Sequence, residues 1–163
     1  MRFVTIIPVL LMQIACQKIQ SYPDTPHIAF KEFSYQDTSL YFSFVDGDGN
    51  FGFLIDELTE KDTTDSAFNV FAPLEILDDS EYVPFNDIKN WRYHISGIPQ
   101  PQGQNKTQKG EIRLRFYTLF DTASGSYALM PDSFRFRFWI KDNNYNISNI
   151  DSTPVLYKAL IGI

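Results

Sequence analysis

Phe134-Arg-Phe136-Arg-Phe138-Trp-Ile140 alternates apolar and polar side chains over most of its length. Successive side chains of an extended strand point to opposite faces. The run therefore predicts a β-strand with Phe134, Phe136, Phe138 and Ile140 toward a core and Arg135, Arg137 and Trp139 on the other face. The same period of two returns in Leu40-Tyr-Phe42-Ser-Phe44, Trp91-Arg-Tyr93-His-Ile95 and Ile112-Arg-Leu114-Arg-Phe116. Phe68-Asn-Val70-Phe-Ala72-Pro-Leu74-Glu-Ile76 alternates less regularly, and Pro73, which has no N–H to give a ladder, predicts an edge or a bulge there. Asp78-Asp79-Ser80 reads as a turn that returns the chain into Tyr82 to Phe85. With Ile28 to Phe33 at the front and Tyr145 to Ile150 plus Val155 to Leu160 at the back, the chain offers about seven to nine strands and no amphipathic helix. Fifteen phenylalanines and nine tyrosines suit pleated, half-buried surfaces. The predicted fold class is all-β, an antiparallel immunoglobulin-like β-sandwich.

The 163 residues hold one domain's worth of chain, and no Gly/Ser tract, charge block or long repeat marks an internal boundary. The formal charge of −6 disfavours nucleic acid as a partner, because an acidic surface repels phosphate backbones.

The extreme N-terminus has a different composition. Arg2 is followed by the apolar stretch Phe3 to Ala15, which closes on Cys16, the only cysteine of the chain. A bilayer-spanning helix needs roughly 20 apolar residues, so this shorter run reads as the apolar region of an export signal and not as a permanent anchor. A single cysteine also excludes an internal disulfide and implies a modified, reactive or buried thiol, the bland reading being a buried structural cysteine. Ala15-Cys16 with the preceding apolar run resembles the lipobox of bacterial lipoproteins, with Gln13 where that motif usually has Leu. The resemblance implies cleavage after Ala15 and acylation of Cys16, giving a membrane anchor. The chain then divides into a lipoprotein signal peptide (1–15), the lipidated Cys16 with a polar, proline-containing tether (16–26) that is expected to be mobile, and a β-sandwich domain (27–163).

Four further stretches, Tyr22-Pro-Asp-Thr-Pro-His-Ile28, Phe42-Ser-Phe-Val-Asp-Gly-Asp-Gly-Asn50, Gly103 to Ile112 and Phe138 to Asn149, together resemble a group of small, uncharacterised Bacteroidota lipoproteins. That resemblance implies a single immunoglobulin-like domain in the cell envelope, on the outer membrane, with no activity attached. The missing Asp after Cys16 agrees with the outer membrane. Surface or periplasmic orientation stays open.

One loop has the composition of a metal site. In Asp46-Gly-Asp48-Gly-Asn50-Phe-Gly52, oxygen side chains stand at the first, third and fifth positions, the pattern by which a flexible loop wraps calcium, and Glu57 falls at the twelfth. Phe51 occupies the position where an EF-hand needs glycine, and a strand leads in, so a true EF-hand is not expected. Asp142-Asn143-Asn144 with Asn146 forms a second such cluster after another Phe-x-Phe strand. If both loops lie at one end of the sandwich, Asp46, Asp48, Asn50 and Asp142 would share a calcium ion. The competing reading is two ordinary turns, which use the same residue types.

Catalysis has little support in the residues. His27 and His94 lie in different strand contexts, no Gly-x-Ser-x-Gly elbow is present, and neighbouring carboxylates such as Asp56 and Glu57 or Asp78 and Asp79 would point to opposite sides of a strand. The expectation is a non-catalytic binding or scaffolding module for a glycan or an envelope protein, with a hydrolase whose site is invisible in the sequence as the alternative. Trp91 and Trp139 are the candidate ligand-binding rings. Trp139 shares its face with Arg135 and Arg137, which fits either a ligand platform or a cation–π ladder that stiffens the sheet. The triplets Asp62-Thr-Thr64, Asp65-Ser-Ala67, Asp121-Thr-Ala123 and Asp151-Ser-Thr153 resemble O-glycosylation acceptors of this bacterial group and are also common turn formers.

Overall fold

A computed structural model of the chain describes residues 21–52, 68–85, 91–96, 98–117, 119–120, 123 and 125–161. Its strands are β1 (His27–Ser34), β2 (Ser39–Asp46), β3 (Val70–Phe71), β4 (Leu74–Asp78), β5 (Glu81–Pro84), β6 (Arg92–Tyr93), β7 (Gln108–Arg115), β8 (Ser133–Ile140), β9 (Asp151–Ser152) and β10 (Leu156–Tyr157). One helical turn, α1 (Ser126–Leu129), precedes β8. All named strand pairs are antiparallel.

The strands form a three-stranded sheet in the order β1-β2-β7 and a seven-stranded sheet built around β8. The larger sheet consists of four rows, because several of its strands are pieces of one line. Val70 and Phe71 pair Ile140 and Trp139, and Leu74 and Glu75 continue in the same register on Phe136 and Arg135. Only Ala72 and Pro73 separate them. Pro73 cannot donate to β8, although its carbonyl still accepts the Arg137 N–H at 3.0 Å. The predicted edge is therefore an interior row. The irregularity appears in the neighbouring row, where Phe85 donates to Leu74 and Trp91 accepts from Ala72 across the Pro73 position.

The two sheets pack face to face through the side chains that alternation placed inward. Phe42 from β2 meets Phe138 of β8 at 4.8 Å between ring centroids, and Phe116, just past β7, stacks on Phe136 at 4.1 Å. Phe134, Phe136, Phe138, Ile140, Leu40, Ile112, Leu114 and Val70 complete the same buried cluster. Burying each such side chain contributes about 1.5–3 kcal/mol, so this interface is the main stabilising element of the fold.

The segment beyond β8 departs from expectation. Tyr145 to Ile150 is not a strand: Lys141 and Ile147 form an isolated bridge, and strand pairing resumes only at β9. Polar side chains take over the acceptor half of the ladder here, while the Ser148 and Thr153 N–H groups still donate to the Ile140 and Phe136 carbonyls. Ser148 Oγ and Thr153 Oγ1 accept the N–H groups of Ile140 and Phe136 in β8, at 3.0 and 3.1 Å. On the other side, Asn149 Oδ1 accepts the Ile28 N–H at 2.8 Å while its amide donates to the Ile28 carbonyl, and Asp151 Oδ2 accepts the Phe30 N–H at 2.7 Å. The row therefore joins the edge strand β1 to β8 and ties the two sheets together. Val155 to Leu160 likewise shortens to β10 and a 3₁₀ turn, Lys158–Leu160. No helix among the described residues is long and apolar enough to cross a membrane.

Candidate functional site

β2 delivers Asp46 to the end of the sandwich, and β8 runs on through Lys141 to Asp142 at the same end. One carboxylate oxygen from each of Asp46, Asp48 and Asp142 lies within 4.8 Å of the others. Two loops distant in sequence have thus been brought into one cluster, as the shared-ion reading requires.

Each loop is closed by its leading aspartate. Asp46 Oδ2 accepts the N–H groups of Asn50 and Phe51, at 2.9 and 3.0 Å, which curls the loop back on itself. Phe51 is fully buried against Phe44, and its N–H is shared with Gln108 Oε1. In the second loop, Asp142 accepts the backbone N–H and the side-chain amide of Asn146, both at 2.8 Å. Tyr145 has a φ of 65°, a left-handed conformation that lets this turn close. The loops are joined directly by Asn144, whose amide donates to Asp48 Oδ2 at 3.2 Å.

These bonds leave specific oxygens over. Asp46 Oδ1, Asp48 Oδ1, Asn50 Oδ1 and Asn143 Oδ1 are enclosed acceptors with no hydrogen-bond partner among the described residues. Asp46 and Asp142 are fully buried. Leaving a buried acceptor without a donor costs about 1–3 kcal/mol, more for a charged group. Burial, reinforced by the charges of Asp48 and Asp142 and partly offset by the two N–H donors, pushes the Asp46 carboxyl up to about 6. A donor set made only of oxygens, three of them carboxylates, fits a hard dication such as calcium and gives no soft ligand for zinc. Asp46, Asp48, Asn50 and Asp142 all stand where the sequence suggested, and Glu57 lies outside the described residues.

A third segment leans on the cluster. The carbonyl of Pro23 accepts the Gly47 N–H at 3.0 Å. A Cβ on Gly47 would fall 2.3 Å from the carbonyl oxygens of Tyr22 and Pro23, so only glycine admits this crossing between Asp46 and Asp48. Gly49, with a φ of 70°, is tighter still, a Cβ there falling 1.8 Å from the Lys106 carbonyl oxygen. The end of the expected mobile tether is therefore docked, with Pro26 buried and the Tyr22 ring under the Lys109 ammonium at 3.8 Å.

The aromatic face is separate. Trp139 stacks on Phe71, with centroids 5.3 Å apart and planes 9° from parallel, and Trp91 lies at 6.4 Å on the same Phe71. Arg137 sits over Trp139, and Arg135 sits over Tyr82 while pairing with the buried Glu75 at 2.7 Å. Both tryptophans are half-buried members of this laminated patch, and Phe71 covers one ring face of Trp139. His94 is half-buried beyond β6, and neither of the two cavities at the loop end sets a histidine beside a carboxylate and a serine.

Cys16, the segment read as an export signal (1–15), and the Asp62 and Asp65 triplets lie outside the described residues, as does Asp121. Comparison with protein-family models, curated proteins and solved structures finds no match to this chain.

Proposed function

We propose that this chain is a non-catalytic envelope module: a β-sandwich tethered through acylated Cys16, whose loop end is organised by a calcium ion to hold a glycan or protein partner. The observation that carries the reading is the fully buried Asp46, whose Oδ1 has no donor and shares a cluster with Asp48 and Asp142. Three carboxylates in such proximity repel one another, and a dication between them removes both the repulsion and the orphaned acceptors. Calcium here stiffens two loops and the docked end of the tether and so presents one defined surface.

Calorimetric titration of calcium into chelator-treated protein tests the reading. One saturable site is expected, and Asp142→Asn weakens it by at least tenfold. Absence of heat at millimolar calcium contradicts it. The anchor is tested in the host, where Cys16→Ala moves the protein from the membrane fraction to the soluble fraction. Unchanged partitioning refutes lipidation.

A further inference from the structure

Strand alternation leaves the outer face of the larger sheet with a composition unlike the rest of this acidic chain. Six of the nine large apolar side chains exposed among the described residues belong to residues 145–160, the row beside β8. Pairing sets Ile147 of that row level with Lys141, Ser152 with Arg137 and Tyr157 with Ser133. The same registers bring Ile150 level with Trp139 and Val155 level with Arg135. Asn149 and Asp151 turn their side chains to β1, so Ile150 between them points outward, and it is exposed. Ile147, Ile150, Val155 and Tyr157 thus form an apolar margin beside the stacked rings of Trp139, Phe71 and Trp91.

The charges on this face are mostly of one sign. Arg135, Arg137 and Lys141 share the outward phase of β8, and Arg92 stands level with Phe71. Glu75 is the one carboxylate in that outward phase among the described residues. It is buried, pairs with Arg135 at 2.7 Å and reaches Arg137 only at 3.9 Å. Arg137 keeps 43% of its side chain exposed beside Trp139. In a chain of formal charge −6 this face is therefore locally cationic. Aliphatic side chains, Trp and Tyr rings and cations on one surface match the headgroup region of an anionic bilayer, which takes apolar groups and cations together. A purely apolar partner would leave the cations without counter-charge, and a soluble polyanion would leave the isoleucines in water.

We infer that the outer face of the larger sheet rests on an anionic phospholipid surface, with Ile147, Ile150 and Tyr157 entering the headgroup region and Arg137 meeting lipid phosphates. The inference rests on the tether of the proposed function, not on its calcium ion, and adds the orientation of the tethered domain. Cys16 stands five residues before Ser21, a span of at most about 18 Å. The strap docks at the end of the sandwich where Lys141, Tyr145 and Ile147 also lie, so the anchor brings this face within reach of the bilayer. A few exposed side chains bind weakly alone, and the anchor supplies the effective concentration that makes their contact persist. Loss of the anchor accordingly still releases the protein.

The chain's two tryptophans, Trp91 and Trp139, both lie in this patch and report on it. Protein purified from host membranes is reconstituted into vesicles of phosphatidylcholine with about one-third phosphatidylglycerol, with and without bromine on the acyl chains near the headgroup. Bromine is expected to quench tryptophan emission at least twofold. Ile147→Ser/Ile150→Ser is expected to lose the quenching and Arg137→Gln to weaken it, while both variants still float with the vesicles. All three side chains are exposed, so equal melting temperatures are expected for the variants and the parent. Protein that floats with vesicles but is not quenched overturns this inference and leaves the tether standing. Cross-linking of that protein to a second copy through this face would name the occupant instead. Protein that does not float removes both readings. Quenching that survives in both variants, or is as strong without phosphatidylglycerol, also overturns the inference.

Discussion

Asp46 is the residue on which the loop end turns. Its Oδ2 closes its own loop and its Oδ1 has no donor, while burial raises its pKa from 3.8 to about 6. The sign of the consequence follows directly. Because the folded carboxyl holds its proton more tightly than the unfolded one, the folded chain binds more protons between about pH 4 and 6, and metal-free stability falls as pH rises through that window. A shift of this size corresponds to about 3 kcal/mol. Urea unfolding in chelator across that range is expected to show the decline, and Asp46→Asn, which keeps an acceptor for both N–H groups, to flatten it. A flat wild-type profile contradicts this account of Asp46. The aspartates were legible in the sequence because they recur at alternate positions of a glycine-rich loop. Gln108 was not, since a side chain's part in a site fed by distant segments leaves no local period.

At the scale of elements, β8 was fully legible. A central strand with one face in the core and one against an Arg, Trp and Glu patch must alternate, and it does through Ile140. The row after it was misread as a strand because its apolar residues, Tyr145, Ile147 and Ile150, look like a strand's buried face. All three are exposed, and the polar residues between them make the structural bonds. Pro73 was read as marking an edge or a bulge, and of these the edge is not what forms, because a single missing donor interrupts a row without ending it. The turn at Asp79-Ser80 formed as expected, with both residues at positive φ as a two-residue hairpin requires. Asn149 provides the test at this scale. Its amide mimics a strand partner for Ile28, so Asn149→Ala is expected to cost about 1–3 kcal/mol in urea unfolding and to speed hydrogen exchange at the Ile28 N–H. Unchanged exchange at Ile28 refutes the role of this row as a seam between the sheets.

For the whole molecule, the ten short strands among the described residues resolve into seven rows, within the predicted count, and the two sheets close over a phenylalanine-rich core. That architecture leaves the loop end as the place where β2, β8 and the strap from the N-terminal side meet. If acylated Cys16 is the anchor, the strap's docking beside Gly47 puts the two aspartate loops on the side from which the tether arrives. Filling the cluster then stiffens the contact between tether and domain as well as the loops. The sequence alone left both loops open to a simple turn reading, because their pairing in space depends on the packing of β2 against β8.

Thermal unfolding of the full chain in calcium and in chelator tests the central claim most directly. Calcium at a hundredfold excess over its dissociation constant stabilises the folded state by about 2.7 kcal/mol. For a domain of this size that raises Tm by about 5–10 °C, and Asp46→Asn is expected to abolish the rise. Identical melting curves in calcium and in chelator would show that Asp46, Asp48 and Asp142 close turns and hold no ion.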